Sequence, residues 1–346
     1  VSDADLLAAA ILLSLIAYAL FGGADFGGGV WDLFARGARA EAQRETIAHA
    51  IGPIWEANHV WLIAVVVLLF GGFPPAFAQI ATRFHIPLTL LLVGIVLRGS
   101  SFVFRTYDAP DARRSWGRVF AISSLFSPVL LGVLIGAISM PQPALTADAS
   151  FRALYVDPWL HAFPLMVGLF ALAQFAFLAA VYLCVEARDA ELREDFRRRA
   201  LGCALAVAGL GVAVAALASA TAPSFAADLL GARGALAVLA TTALLACAAF
   251  ALLWLRRYVA ARLCAAAQVA AILLGWGLAQ HPYLIAESLT LHDAAAPPHV
   301  LRLLLIAFAC GGALLLPALA YLLRTFKGGL LDPARSEPPA TDRMVE

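Results

Sequence analysis

Nine apolar runs of membrane-spanning length dominate this chain, near residues 6–30, 54–71, 84–106, 117–139, 159–185, 200–219, 233–255, 262–280 and 300–324, each bounded by charges or Pro/Gly clusters. The hydrocarbon core of a bilayer is about 30 Å thick, so a helix needs about 20 predominantly apolar residues to cross it. Inside lipid every backbone N–H and C=O must be satisfied within the protein, and a helix does so on its own. The runs therefore predict an all-α integral membrane protein with about nine transmembrane helices. Composition agrees, because 14% charged residues and a mean hydropathy of +0.86 cannot clothe a water-facing surface. Soluble domains carry about 25% charged residues. The formal charge of +1 shows no global basic excess and gives no reason to expect a nucleic-acid partner.

The charges are unevenly placed. Alternate connections carry Arg36, Arg39 and Arg44; Arg98, Arg105, Arg113, Arg114 and Arg118; Arg188, Arg193 and Arg197 to Arg199; and Arg256, Arg257 and Arg262. The C-terminal segment adds Arg324, Lys327, Arg335 and Arg343, leaving Arg83, Arg152, Arg233 and Arg302 as the opposite side's share of the 24 Lys and Arg. Basic residues accumulate on the cytoplasmic side. An odd number of helices, with the N-terminus outside and the C-terminus inside, is the arrangement that fits.

One transmembrane domain over 1–331 and an exposed cytoplasmic tail over 332–346, rich in Pro, Glu and Arg, follow from this pattern. The first run lacks a basic leader and a small-residue cleavage site, so it is expected to be a retained helix. A Gly-to-Pro spacing recurs at Gly136…Pro141 and Gly277…Pro282, at matching places in two four-helix units. That repetition suggests two four-helix bundles plus one helix. The five cysteines lie singly in apolar runs and read as small hydrophobes.

An ionisable side chain within a span costs roughly 2.5–3.5 kcal/mol on insertion scales, so each is a functional candidate. Asp25, Glu56, His59 and Arg98 stand out. The alternation of helix directions brings them to one depth, toward the basic side. Gly52, Glu56, His59 and Ile63 recur at helical spacing and share a face. Gly22, Gly23, Gly27, Gly28 and Gly29 surround Asp25 and allow another helix to approach closely. Carboxylates and an imidazole sheltered together can hand on protons, which is the chemistry of a proton-uptake path. The competing reading is that an acid pairs with Arg98 and merely fixes three helices in register. Trp55, Trp61, Trp116 and Trp159, near helix ends, are expected to be interfacial anchors.

No metal site is expected. Glu56-x-x-His59 has the spacing of a di-iron bundle, which needs two further Glu residues on facing helices and a second copy of the motif, and the chain has no second copy. His85, His161, His281, His292 and His299 gather toward the outer side without a paired ligand on a facing span.

Two segments resemble signatures of the second subunit of cytochrome bd-type quinol oxidases: GGADFGGGV at Gly22 to Val30, and GPIWEANHVWLI at Gly52 to Ile63. The second is the more specific, through Pro53, Trp55, Glu56, Asn58 and Trp61. Arg98 with Phe102 and Phe104, then Pro282-YLI, Ser288-LTLHDA, Gly312 and Pro317, extend the resemblance along the whole chain. It implies a haem-free subunit in the bacterial cytoplasmic (inner) membrane. The implied partner is a haem-bearing subunit I carrying haem b and haem d, which oxidises quinol and reduces dioxygen to water. Small single-span accessory subunits, membrane lipid and a structural quinone belong to the same implication, as does a stabilising role for this chain with no activity of its own. The chain departs from the family pattern at Gly22, where many members carry an acid, and at Glu56, where Asp is common. A secondary transporter using Asp25 and Glu56 as an intramembrane cation site is the alternative from another class, and it calls for discontinuous helices at matching places in two halves.

Overall fold

The computed structural model describes residues 2–51, 55–107, 110–143, 149–231 and 233–327, and of residues 55–57, 105–107, 110–114, 233–235, 323, 326 and 327 the backbone alone. In chain order the helices are α1 (Asp3–Leu33), α2 (Ala40–Ile51), α3 (Trp55–Gly72), α4 (Pro74–Arg83), α5 (His85–Tyr107), α6 (Pro110–Ile138), α7 (Phe151–Tyr155), α8 (Ala162–Glu186), α9 (Ala190–Thr221), α10 (Pro223–Gly231), α11 (Arg233–Trp254) and α12 (Tyr258–Gln280). A short antiparallel pair, β1 (Tyr283–Ile285) and β2 (Leu289–Thr290), precedes α13 (Leu291–Ala294) and α14 (Pro298–Lys327).

Among the described residues eight helices, α1, α5, α6, α8, α9, α11, α12 and α14, are long and apolar enough to cross a membrane. The second apolar run is different. Its helix α3 ends at Gly71-Gly72, and α4 leaves at 117° after one intervening residue. Pro74 and Pro75 explain the break, because a proline lacks an N–H and is tolerated at the start of a helix but not within one. Counted as one broken span, this pair brings the total to nine.

Helix α1 begins with a reciprocal cap. The Ser2 hydroxyl accepts from the Asp5 amide at 3.1 Å while the Asp5 carboxylate accepts from the Ser2 amide at 2.8 Å, satisfying two of the free donors of a helix start. From there α1 runs through the centre of the molecule, packed on α3, α6, α8, α12 and α14. Helices α1, α3, α5 and α6 form one group and α8, α9, α11 and α12 the other, joined along α1, α6 and α8, with α14 beside α1 and α3. The structure is thus an all-α assembly of membrane-spanning helices centred on α1, α6 and α8.

Small residues set the closest approach. A Cβ on Gly27 of α1 would strike the Phe175 carbonyl of α8, and one on Gly132 of α6 would come within 2.6 Å of the Val167 carbonyl. The alternation of loops is also visible. At one end Arg39 bonds Glu191 and Asp195, and Arg256 lies 3.5 Å from Glu194, so the first, fifth and seventh connections meet. At the other end Arg302 pairs with Asp3, and the Ala296 amide donates to the Gly72 carbonyl at 2.8 Å. The two Gly-to-Pro segments meet there as well, through Gln280 Nε2 donating to the Ile138 carbonyl at 3.3 Å, and Trp276 Nε1, just before the second, donates to Ser139 Oγ at 2.8 Å.

Candidate functional site

The apolar helices α1, α5 and α6 carry a polar cluster between them. Arg98 of α5 donates from Nη2 to Asp25 Oδ1 at 2.7 Å and to the Asp25 carbonyl at 3.1 Å. Its Nε donates to Ser124 Oγ of α6 at 3.1 Å, and that hydroxyl donates in turn to the Phe120 carbonyl at 2.7 Å. The pair is sealed from solvent, with side chains 1% and 3% exposed. The rings of Phe26 and Phe120 lie 4.6 and 5.0 Å from the guanidinium carbon. Aromatic faces attract a desolvated cation, so they offset part of the cost of burying Arg98.

The glycines explain how this cluster is reached. Gly23 and Gly27 admit α8, Gly28 meets Ile51 of α2, and Gly29 admits Ser124 of α6, close enough that a Cβ would collide with its hydroxyl. Asp25 therefore faces protein, as its glycine-rich setting suggests. Gly22 has another neighbour, the Tyr18 ring. Tyr18 is 1% exposed, packs edge-on to Phe26 at 6.5 Å, and lies 6.3 Å from the His59 ring. Both Tyr18 and His59 are within electrostatic reach of Asp25 and Arg98.

Two atoms in this cluster are chemically open. Asp25 Oδ2 and the Tyr18 hydroxyl are buried and have no hydrogen-bond partner among the described residues. Buried polar groups are almost always paired with protein or ordered water. One carboxylate oxygen is fixed by Arg98, and the other is left available to a further partner.

Asp25, Arg98 and His59 are thus brought into one neighbourhood. Gly52 and Pro53 lie outside the described residues, as do the side chains of Trp55 and Glu56. Asn58 turns toward α1, where its Nδ2 donates to the Phe21 carbonyl at 3.4 Å. Trp61 departs from the interfacial anchor expected of it. It is 8% exposed and packed in the core with Tyr18 and Phe26, because Asn58, Trp61, Leu68 and Gly72 form the stripe of α3 that faces α1. Ile63, one turn from His59 on the neighbouring stripe, is 59% exposed, so that stripe looks outward. Tyr18, Ser124, Phe26 and Phe120 were not singled out from sequence. A tyrosine seven residues before Asp25 and the Ser123-Ser124 pair within an apolar run were the available signals.

Among the described residues no three His, Cys, Asp or Glu side chains converge as metal ligands would. The comparison with known families decides what kind of helix assembly this is: a model of cytochrome bd terminal oxidase subunit II matches residues 4–326. The chain belongs to that family. Its members are multi-pass proteins of the bacterial cytoplasmic membrane, and the nine apolar runs agree with that location. The chain is 31% identical over 147 residues to cytochrome bd ubiquinol oxidase subunit 2 of Bacillus subtilis strain 168, covering 42% of each chain. It is 27% identical over 173 residues to cytochrome bd-I ubiquinol oxidase subunit 2 of Escherichia coli strain K12, covering 49% of this chain and 45% of the other. The chain spans less than half the length of these two curated relatives. The fold is similar along its whole course to a chain of the bd oxidase from Geobacillus thermodenitrificans, with a TM-score of 0.73 at 22% identity over 93% of this chain and 98% of that one.

Proposed function

We propose that this member of the bd oxidase subunit II family is the haem-free second subunit of a terminal quinol oxidase, which couples quinol oxidation to reduction of dioxygen to water. In this reading it stabilises a subunit I that holds haem b and haem d, and it contributes to proton uptake from the cytoplasm. The basic end of the molecule is then cytoplasmic, the N-terminus lies outside, and residues 332–346 form a cytoplasmic tail on a single transmembrane domain. The outward stripe of α3 with His59 and Ile63 suits a partner-facing surface.

One observation supports the proton role: Asp25 Oδ2 is buried with no hydrogen-bond partner among the described residues while Arg98 secures Oδ1. Asp25 would accept a proton on Oδ2 from the basic side and release it onward, with Arg98 keeping the carboxyl group in place. His59 and Glu56 would be its neighbours along the path, in agreement with their position at the start of α3. A structural quinone would rest on the apolar outer helix faces. The clefts around Arg39 have ionic walls and do not fit a quinone ring.

The test is Asp25→Asn in the assembled oxidase. Asparagine still accepts from Arg98 but cannot carry the proton; it also leaves the buried Arg98 without its counter-charge, so less complex assembles, and turnover counted per assembled complex falls roughly tenfold or more. Unchanged turnover would reduce Asp25 to a structural partner of Arg98. Glu56→Gln, measured for the same two quantities, separates a scaffold, which loses assembly, from a path, which loses turnover.

A further inference from the structure

A second charged feature lies at the basic end, outside the membrane-embedded cluster. The end of α1, the turn before α2 and the first turns of α9 enclose a cleft of about 360 Å³ whose walls include Arg36, Arg39, Gln43, Asp195, Arg198 and Arg199. Four guanidinium groups face one carboxylate. Asp195 is already engaged, with its two oxygens accepting from Arg39 at 2.7 and 2.9 Å and Oδ2 also accepting from Gln43 at 2.9 Å. Those bonds hold the Arg39 pKa above its ordinary value. Arg198 reaches Glu194 only at 3.4 Å, and Arg36 is exposed and has no ion pair among the described residues. Arg199 is held by Gln43 at 2.6 Å and the Phe34 carbonyl at 3.4 Å and stacks over Trp31 and Phe196, and its Nη1 is buried without a hydrogen-bond partner among the described residues.

The depth of the cleft points to its occupant. Helix α9 has 32 residues, about 48 Å at 1.5 Å per residue, which exceeds a hydrocarbon core of about 30 Å. Its charged first turns, up to Arg199, therefore lie at the headgroup level, and Trp31 beneath Arg199 is the kind of residue that sits there. Exposed apolar side chains lie close by in the sequence of both helices: Leu33 and Phe34 at the end of α1 are 39% and 44% exposed, and Leu205, seven residues and so two turns on from Arg198 on α9, is 65% exposed. A soluble anion would have no use for that greasy margin. A lipid uses both parts, its phosphate against the arginines and its acyl chains along the exposed leucines.

We propose that this cleft binds the phosphate headgroup of an anionic phospholipid from the adjoining leaflet. Arg36, Arg198 and Arg199 supply the recognition, and Arg39 with Asp195 forms the fixed wall. Guanidinium groups suit phosphate because they present paired N–H donors in a rigid fork. The site is independent of the proton role of Asp25.

The experiment uses the protein as it purifies from its membrane, stripped of lipid by detergent and titrated with cardiolipin or phosphatidylglycerol while bound lipid is counted by native mass spectrometry. The parent protein is expected to retain the anionic lipids and to show no comparable binding of phosphatidylcholine. The doubly substituted Arg36→Gln/Arg198→Gln protein alters two exposed side chains, so folding is preserved. Its apparent Kd should rise about thirtyfold, from the loss of two interfacial arginines. Arg152→Gln/Arg302→Gln removes the same charge at the opposite end and should leave the affinity unchanged. Inorganic phosphate at millimolar concentration should not displace the lipid. Equal losses in the two double variants, retention of lipid by the first, or displacement by phosphate alone would each overturn the proposal.

Discussion

Asp25 on α1 and Arg98 on α5 form a 2.7 Å ion pair with side chains 3% and 1% exposed, and the same guanidinium also binds the Asp25 carbonyl. Each charge is tolerable there only because of the other. Removing one partner of a buried pair costs about 3–5 kcal/mol, since the remaining charge stays desolvated, whereas replacing both by apolar groups of similar volume is often neutral. Asp25→Leu should therefore lower thermal stability and yield sharply, and the Asp25→Leu/Arg98→Met protein should recover most of the loss. A double variant as unstable as the single one would show that Ser124, Phe26 and Phe120 contribute more than the pair itself.

The long apolar spans were legible in the sequence because lipid leaves a chain so few ways to satisfy its backbone. What was not legible has a physical reason in each case. Helices α2 and α4 are 12 and 10 residues long, too short for the length argument to detect, and the β1–β2 hairpin lies in a connection that hydropathy does not describe. Asp25 and Arg98 declared themselves by their cost in a bilayer. Their pairing did not, because either Asp25 or Glu56, on two different helices, could have offered Arg98 its acid. Ser124 and Tyr18 carry no such cost and look like ordinary helix residues. Trp61 was misread because distance from a helix end says nothing about which face meets α1.

The close approach of α1 to α8 makes a sharp contrast between two glycines. At Gly27 a Cβ would run into the Phe175 carbonyl and the Ala179 methyl, and backbone cannot step aside cheaply. Overpacking of this kind typically costs about 1–3 kcal/mol. Gly202 of α9 has open space around its Cβ position. There an alanine gains helix propensity, about 0.8–1.0 kcal/mol relative to glycine. Gly27→Ala should lower the unfolding temperature and Gly202→Ala should leave it equal or raise it. The reverse order would mean that the two helices are not in contact at Phe175.

Just past the end of α6, Ser139 ties the chain to α12, beside the bond that Gln280 Nε2 donates to the Ile138 carbonyl at 3.3 Å. Ser139 is 1% exposed, donates to the Ile135 carbonyl at 2.8 Å and accepts from Trp276 Nε1 at 2.8 Å. Ser139→Ala strands the indole N–H and should cost about 1–3 kcal/mol, the penalty for a polar group left unpaired on burial. Ser127 is equally buried, but its hydroxyl has no partner among the described residues. Ser127→Ala should therefore be neutral or stabilising. Thermal unfolding of the two variants side by side is the check, and equal effects would remove the Trp276 bond from the account.

Tyr18 separates packing from proton movement most cleanly. Its ring fills the space beside Gly22 and Phe26, and Phe fills that space equally well. Its hydroxyl, by contrast, is buried without a hydrogen-bond partner among the described residues, as is Asp25 Oδ2. If the hydroxyl only occupies space, Tyr18→Phe removes an unsatisfied polar group and stability should stay level or rise. If a water held between Tyr18 and Asp25 Oδ2 passes protons, the same change keeps stability and assembly while turnover per complex falls, and the fall grows as pH rises and proton supply declines. A proton path that runs through Tyr18 requires this second pattern. A Tyr18→Phe complex with parental turnover at every pH would confine the hydroxyl to packing and leave Asp25 to receive its proton from the His59 side.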